Sequence, residues 1–174
     1  SMNWLKTWIM RAVSNTSPLS NLAFIQRLEL LKSQADELWI PTAVKEELHA
    51  HPSPMARAAI EAAIQEQWIR VAAPQETGLK RMLLQQVHRG EAEAIALATD
   101  RKADILFIDE MEGRSLAEQA GLRVSGTLGV LLRAKRSGQI GTVKAEIEAL
   151  RSKTRFFRSA SLEAQVLRAG VESL

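Results

Sequence analysis

The run Asp104-Ile105-Leu106-Phe107-Ile108-Asp109 constrains the fold more than any other stretch of the chain. Its large apolar residues are consecutive, include β-branched and aromatic types, and stop at an acid on either side. That length suits a strand rather than a helix, and the absence of alternation suits a strand covered on both faces, as in a parallel sheet. Parallel neighbours need crossover connections, and the rest of the chain supplies them. Further strands are expected at Thr7–Ser14, Glu37–Pro41, Trp68–Ala72 and Leu122–Ser125, each separated by helical patterning. The expectation is a three-layer α/β/α fold around a parallel sheet of about five strands.

Turn chemistry places the helices between them. Ser17 followed by Pro18 predicts a hydroxyl cap with proline in the first helical position. Thr42 is expected to cap a short helix carrying Val44, Glu47 and Leu48. His51-Pro52-Ser53-Pro54 is a break before an alanine-rich helix at Met55–Gln67. Helical patterning covers Leu79–Val87, is interrupted at Arg89-Gly90, and resumes over Glu91–Thr99. A helix at 111–120 stops at Gly121. Thr127 opens another, to Lys135, with Gly138 as its stop. Two more helical segments are expected in residues 141–174, a C-terminal extension packed on the domain formed by residues 1–140.

Composition excludes several classes of chemistry. The chain has 174 residues and no cysteine, so disulfides, Cys-based zinc sites and thiol nucleophiles are ruled out. No apolar run approaches the roughly 20 residues of a membrane span, and a cytoplasmic location is expected. The net charge of +3 is unevenly spread: eight basic residues face two acidic ones between Arg133 and Arg158. Such a block suits a phosphate-bearing partner as well as a solvated helix face.

In open parallel sheets ligands bind beyond the carboxyl ends of the strands. Asn15, Thr16 and Ser17 follow the first strand, and Asp109, Glu110 and Glu112 follow the apolar one. Glu46 and Glu47 lie on the helix after the second strand, while Glu91 and Glu93 open a later helix. Carboxylates gathered on one rim raise one another's pKa unless a cation compensates them, and hard divalent ions take oxygen ligands. Taken singly, an acid in a first helical turn answers the helix dipole; the argument rests on the group.

These residues also carry a resemblance. Val13-Ser14-Asn15-Thr16-Ser17-Pro18-Leu19 resembles the Asp-Thr-Ser start of PIN-domain nucleases, and Ile40-Pro41 with Val44 and Glu46-Glu47-Leu48 resembles their second acidic motif. Gly90-Glu91-Ala92-Glu93-Ala94-Ile95-Ala96-Leu97-Ala98 is similar to a Gly-Glu-x-Glu-Ala-x-x-Leu-Ala segment of a bacterial and archaeal PIN-like branch of unassigned function. Ile108-Asp109-Glu110 with Arg114, and Gly126-Thr127-Leu128-Gly129-Val130-Leu131-Leu132, match the same branch, over residues 7 to 140. The resemblance implies a five-stranded parallel PIN sheet and a Mg²⁺- or Mn²⁺-dependent endoribonuclease acting on single-stranded RNA. It places the metal and the catalysis at Asn15, Glu47, Glu91 and Asp109, with Ser17, Glu93 and Glu112 in support; Glu93 is the alternative to Glu91. Relatives that act as toxins neutralised by a small antitoxin, and that pair as homodimers, are implied as well. One departure stands out: Asn15 occupies the position of the family's first Asp. An amide oxygen still coordinates a cation, but the site loses a negative charge worth several kcal/mol at close range. Weakened activity is therefore expected, and a catalytically silent module that binds nucleic acid or protein is the alternative.

Other signals carry less. His49 and His51, two apart before a proline break, do not share a helix face, and His88 reads as a helix-end surface residue. Gly126-Thr127-Leu128-Gly129 lacks the Gly-Lys-Ser/Thr of a phosphate loop, so Thr127 is expected to be a cap. The tryptophans at 4, 8, 39 and 68 suit core or interface positions. Phe156-Phe157 suits an anchor for the last helices or a stacking pair for bases. A receiver-like domain phosphorylated at Asp109 lacks the acidic pair after the first strand.

Overall fold

A computed structural model describes residues 9–153. Strands β1 (Arg11–Ser14), β2 (Glu37–Pro41), β3 (Ile69–Ala72), β4 (Ile105–Phe107) and β5 (Val124–Ser125) form one sheet in the order β3-β2-β1-β4-β5, and every pairing is parallel. The helices between them are α1 (Thr16–Phe24), α2 (Glu29–Gln34), α3 (Thr42–His49), α4 (Pro54–Gln65), α5 (Gly78–Leu84), α6 (Arg89–Asp100), α7 (Met111–Gln119), α8 (Thr127–Arg136) and α9 (Val143–Lys153). This is the three-layer α/β/α arrangement expected from the sequence.

Alternation along the strands feeds two cores. Ala12, Leu38, Ile40, Ile69 and Phe107 pack with Leu19, Leu22, Leu31, Ile60 and Val130 on one face. Val13, Leu106 and Ile108 pack with Leu83, Ile95, Leu97 and Ala117 on the other. β4 supplies both cores from consecutive residues, which is why its sequence is apolar throughout. Val143, Ile147 and Leu150 of α9 are fully buried in the first core. Arg27, after α1, donates from Nε and Nη2 to Glu146 Oε1 of α9 at 3.0 and 2.7 Å. The expected Phe156-Phe157 pair, Trp4, Trp8 and the last helical segment lie outside the described residues.

Several helix starts differ from expectation. α1 begins at Thr16 with Asn15 as its cap, so Pro18 sits in the third position and Ser17 is not the cap. α3 is capped by Pro41 and α8 by Gly126, making Thr42 and Thr127 first helical residues. α6 begins at Arg89, so Arg89-Gly90 opens that helix instead of interrupting one. At α1, α3 and α8 the extended strand end runs directly into the helix, so the capping residue is the one that leaves the strand.

Candidate active site

The sheet order reverses between β1 and β4, and the crevice at such a reversal is the favoured ligand position in open α/β sheets. The backbone N–H of Asn15, just past β1, donates to Phe107 O of β4 at 2.9 Å and closes the two strand ends together. In front of them lies a concavity of about 440 Å³ lined by Asn15, Thr16, Ser17, Glu47, His88, Arg89, Glu91 and Glu110. Of the residues singled out in the sequence, the structure thus brings Asn15, Ser17, Glu47 and Glu91 to one place.

Asn15 is 4% exposed, and its side chain makes no capping bond to α1. Its Oδ1 is buried without a hydrogen-bond partner. Leaving a buried acceptor unsatisfied costs about 1–3 kcal/mol, so this oxygen is poised for a donor or a cation. Glu47, on α3, reaches over Gly90 of α6 and accepts a hydrogen bond at Oε2 from the Thr16 hydroxyl. A Cβ at Gly90 would collide with the Glu47 carboxylate. Glu91 lies in the first turn of α6, and Gly113 of α7 makes room for it: a Cβ there would stand 3.0 Å from Glu91 Oε2. Burial raises the Glu91 pKa, and the charges of Glu110, Glu112 and Glu47 raise it further against the opposing effect of His88.

Asp109 is placed differently. It does not line the concavity, and both its oxygens are engaged: Oδ1 accepts from Thr127 N at 2.7 Å, and Oδ2 from Thr127 Oγ1 at 2.7 Å and Asn21 Nδ2 at 3.2 Å. It therefore satisfies the first N–H of α8 from outside the helix, work that a capping side chain would otherwise do. Burial raises its pKa, while the hydrogen bonds from Thr127 and Asn21 pull the other way. Glu93 is also committed elsewhere. It is buried, its Oε1 accepts from Ala43 N at 3.1 Å, and its Oε2 accepts from Arg89 Nε at 2.8 Å. Its charge thus sits at the N-terminus of α3, the helix that carries Glu47. Glu112 is exposed in the first turn of α7, where its charge reaches Glu91. His49 faces Glu61 and His51 Nδ1 accepts from Ser53 N, so the two histidines have separate surroundings.

Thr16 and Glu110, read from the sequence only as strand-end residues, also line the concavity, and His88 and Arg89 were not placed there at all. Arg89 also donates from Nη1 to Glu46 Oε2 at 2.8 Å, binding α6 to α3. Their signal was adjacency, since His88 and Arg89 directly precede Gly90-Glu91 and Glu110 follows Asp109.

The donors suit a hard divalent cation in kind, being carboxylates together with an orphaned amide oxygen. Among the described residues, however, no three His, Asp or Glu side chains are grouped closely enough to hold one as they stand. Glu47 is hydrogen-bonded to Thr16 and Asp109 to Thr127, so any ion would have to draw these side chains in.

A family model described as a PIN domain matches residues 11–172. No curated protein matches the chain.

Proposed function

Because the chain belongs to the PIN-domain family, whose members form a nuclease superfamily, we propose that it is a divalent-metal-dependent endoribonuclease cleaving single-stranded RNA. The observation that carries this reading is the gathering of Asn15, Glu47, Glu91 and Glu110 around one concavity at the strand-order reversal, with a buried Asn15 oxygen that nothing satisfies. Glu47, Glu91 and Asn15 would hold Mg²⁺ or Mn²⁺, with Asp109 recruited from its bond to Thr127 and Ser17 in support. Bound there, such an ion supplies Lewis-acid stabilisation of phosphodiester charge and lowers the pKa of water.

The residues of the chain do the rest. Glu91, at the concavity in the first turn of α6, accepts a proton from the attacking water. Arg89, held by Glu93 and Glu46 at the rim through Nε and Nη1, offers its remaining N–H donors to the phosphate backbone. Attack in line breaks the P–O3′ bond, and the departing O3′ takes a proton from solvent water, leaving a 5′-phosphate and a 3′-hydroxyl. A toxin role opposed by a small antitoxin, and pairing as a homodimer, extend this proposal on the strength of the resemblance.

The test is cleavage of a labelled single-stranded RNA in Mn²⁺, compared with Glu91→Gln and with chelated metal. Cleavage lost in both controls supports the enzyme. A second reading, a silent RNA-binding module, is favoured by two observations: an amide replaces the first acid, and Asp109 is tied to α8. RNA binding without cleavage at any Mn²⁺ concentration would establish that reading in place of the first.

A further inference from the structure

A second, chemically opposite site lies at the other end of the sheet. Met10, Asp104 and Arg123 precede β1, β4 and β5, and with Gln34, Ile105, Phe107 and Arg133 they line a cavity of about 270 Å³. Arg133, on α8, extends along this wall. Its Nε donates to Gln34 Oε1 at 2.9 Å and its Nη2 to Ser125 Oγ at 2.8 Å. Gln34 is itself fixed by its Nε2 bond to Val130 O at 2.9 Å, which turns its oxygen toward the arginine. Gly129 leaves open the space beside Nη1, where a Cβ would stand 3.4 Å away.

Among the described residues the hydrogen-bond partners of the Arg133 side chain, Gln34 and Ser125, are neutral. Among the described residues no carboxylate pairs with Arg133 or with Arg123. Burial and the charges of Arg136 and Arg123 all lower the Arg133 pKa, so the cation is desolvated beside two like charges. The carboxylate in the lining, Asp104, turns Oδ2 to the backbone N–H of Arg11 at 2.8 Å. A partly buried guanidinium without a counter-charge is unfavourable unless an anion completes it. Forked N–H donors from two arginines match the oxygens of a phosphate.

We propose that this cavity binds a phosphate group, either free or within an RNA backbone, through Arg123 and Arg133, at a site separate from the acidic concavity.

The experiment is calorimetric titration of the whole chain with inorganic phosphate in chelated, low-salt buffer, repeated in the presence of a short single-stranded RNA. Saturable binding is expected, and Arg123→Gln and Arg133→Gln should each weaken it by about tenfold or more, the loss typical of a charge-assisted hydrogen bond. Glu91→Gln should leave it unchanged. Competition by RNA assigns the site to a polynucleotide backbone, and binding without competition assigns it to a small phosphate compound. Because Arg133 also holds Gln34 and Ser125, the exposed Arg123 is the decisive variant, with circular dichroism confirming its fold. Absence of saturable phosphate binding, or binding untouched by Arg123→Gln, overturns the proposal.

Discussion

The Glu47 carboxylate occupies the space that a side chain on Gly90 would need. Gly90 therefore acts on the site through what it lacks, and Gly90→Ala should separate folding from function. Alanine favours a helix over glycine by at most about 1 kcal/mol, and the group displaced is the end of a flexible side chain. We expect a melting temperature equal to or slightly above that of the parent, with RNA cleavage reduced by about tenfold or more as Glu47 leaves Thr16. Parallel melting and cleavage assays check both halves; unchanged cleavage would remove Glu47 from the mechanism.

The raised pKa of Glu91 carries a sign. The folded chain binds that proton more tightly than the unfolded chain, so stability gained through it is fully present below the unfolded value and is lost as pH rises through the raised folded value. Glu91→Gln should therefore stabilise the metal-free protein near neutral pH. That gain should shrink as pH falls through the raised pKa and vanish below the ordinary carboxylate range. Denaturant titrations of both proteins across this range provide the comparison.

Thr127→Val keeps the side-chain shape and removes one donor to Asp109. A buried hydrogen bond contributes about 0.5–3 kcal/mol, at the upper end when the acceptor is charged, and a loss of that order is expected, largest where Asp109 is ionised. The bond that disappears is one that lowers the Asp109 pKa, so that pKa should rise further. The destabilisation should accordingly be smaller in acid. Urea unfolding at two pH values measures it.

How far the sequence speaks for itself depends on how local each signal is. Ile105–Phe107 was legible because burial on both faces leaves a run of apolar residues within one short window. The strands ending at Ser14, Pro41 and Ala72, and Val124–Ser125, were legible from short β-rich runs bounded by turn residues or helical patterning. Strand-end placement offered Asn15, Glu47 and Glu91 among several polar residues, and the family resemblance singled them out. What Asp109 and Thr127 do for each other was not legible, since their bonds span 18 residues. Glu91 and Glu93 are both acids at one helix start, and only the packing of α6 against α3 turns Glu93 to Ala43 and leaves Glu91 at the concavity. Arg133 reads as one member of a basic block until the fold places Gln34 and Ser125 on it.

The pair between Arg27 and Glu146 joins α9 to the rest of the first core, with Glu146 almost fully buried. Removing one partner strands the other's charge, whereas removing both does not. Because the Arg27 side chain is 39% exposed, Arg27→Met should cost about 1–2 kcal/mol, and the double variant Arg27→Met/Glu146→Leu should recover most of that loss. A double-mutant cycle by chemical denaturation reads the coupling directly; additive losses would mean that the pair contributes nothing.

The account turns on whether the concavity beside Asn15 is a cation site one charge short. Titration of Mn²⁺ followed by electron paramagnetic resonance, on the parent chain and on Asn15→Asp, tests this most directly. Restoring the missing charge should tighten Mn²⁺ binding by at least about tenfold, and Glu91→Gln should abolish the gain. Equal affinity in the parent and Asn15→Asp, or no binding in either, would contradict the central claim.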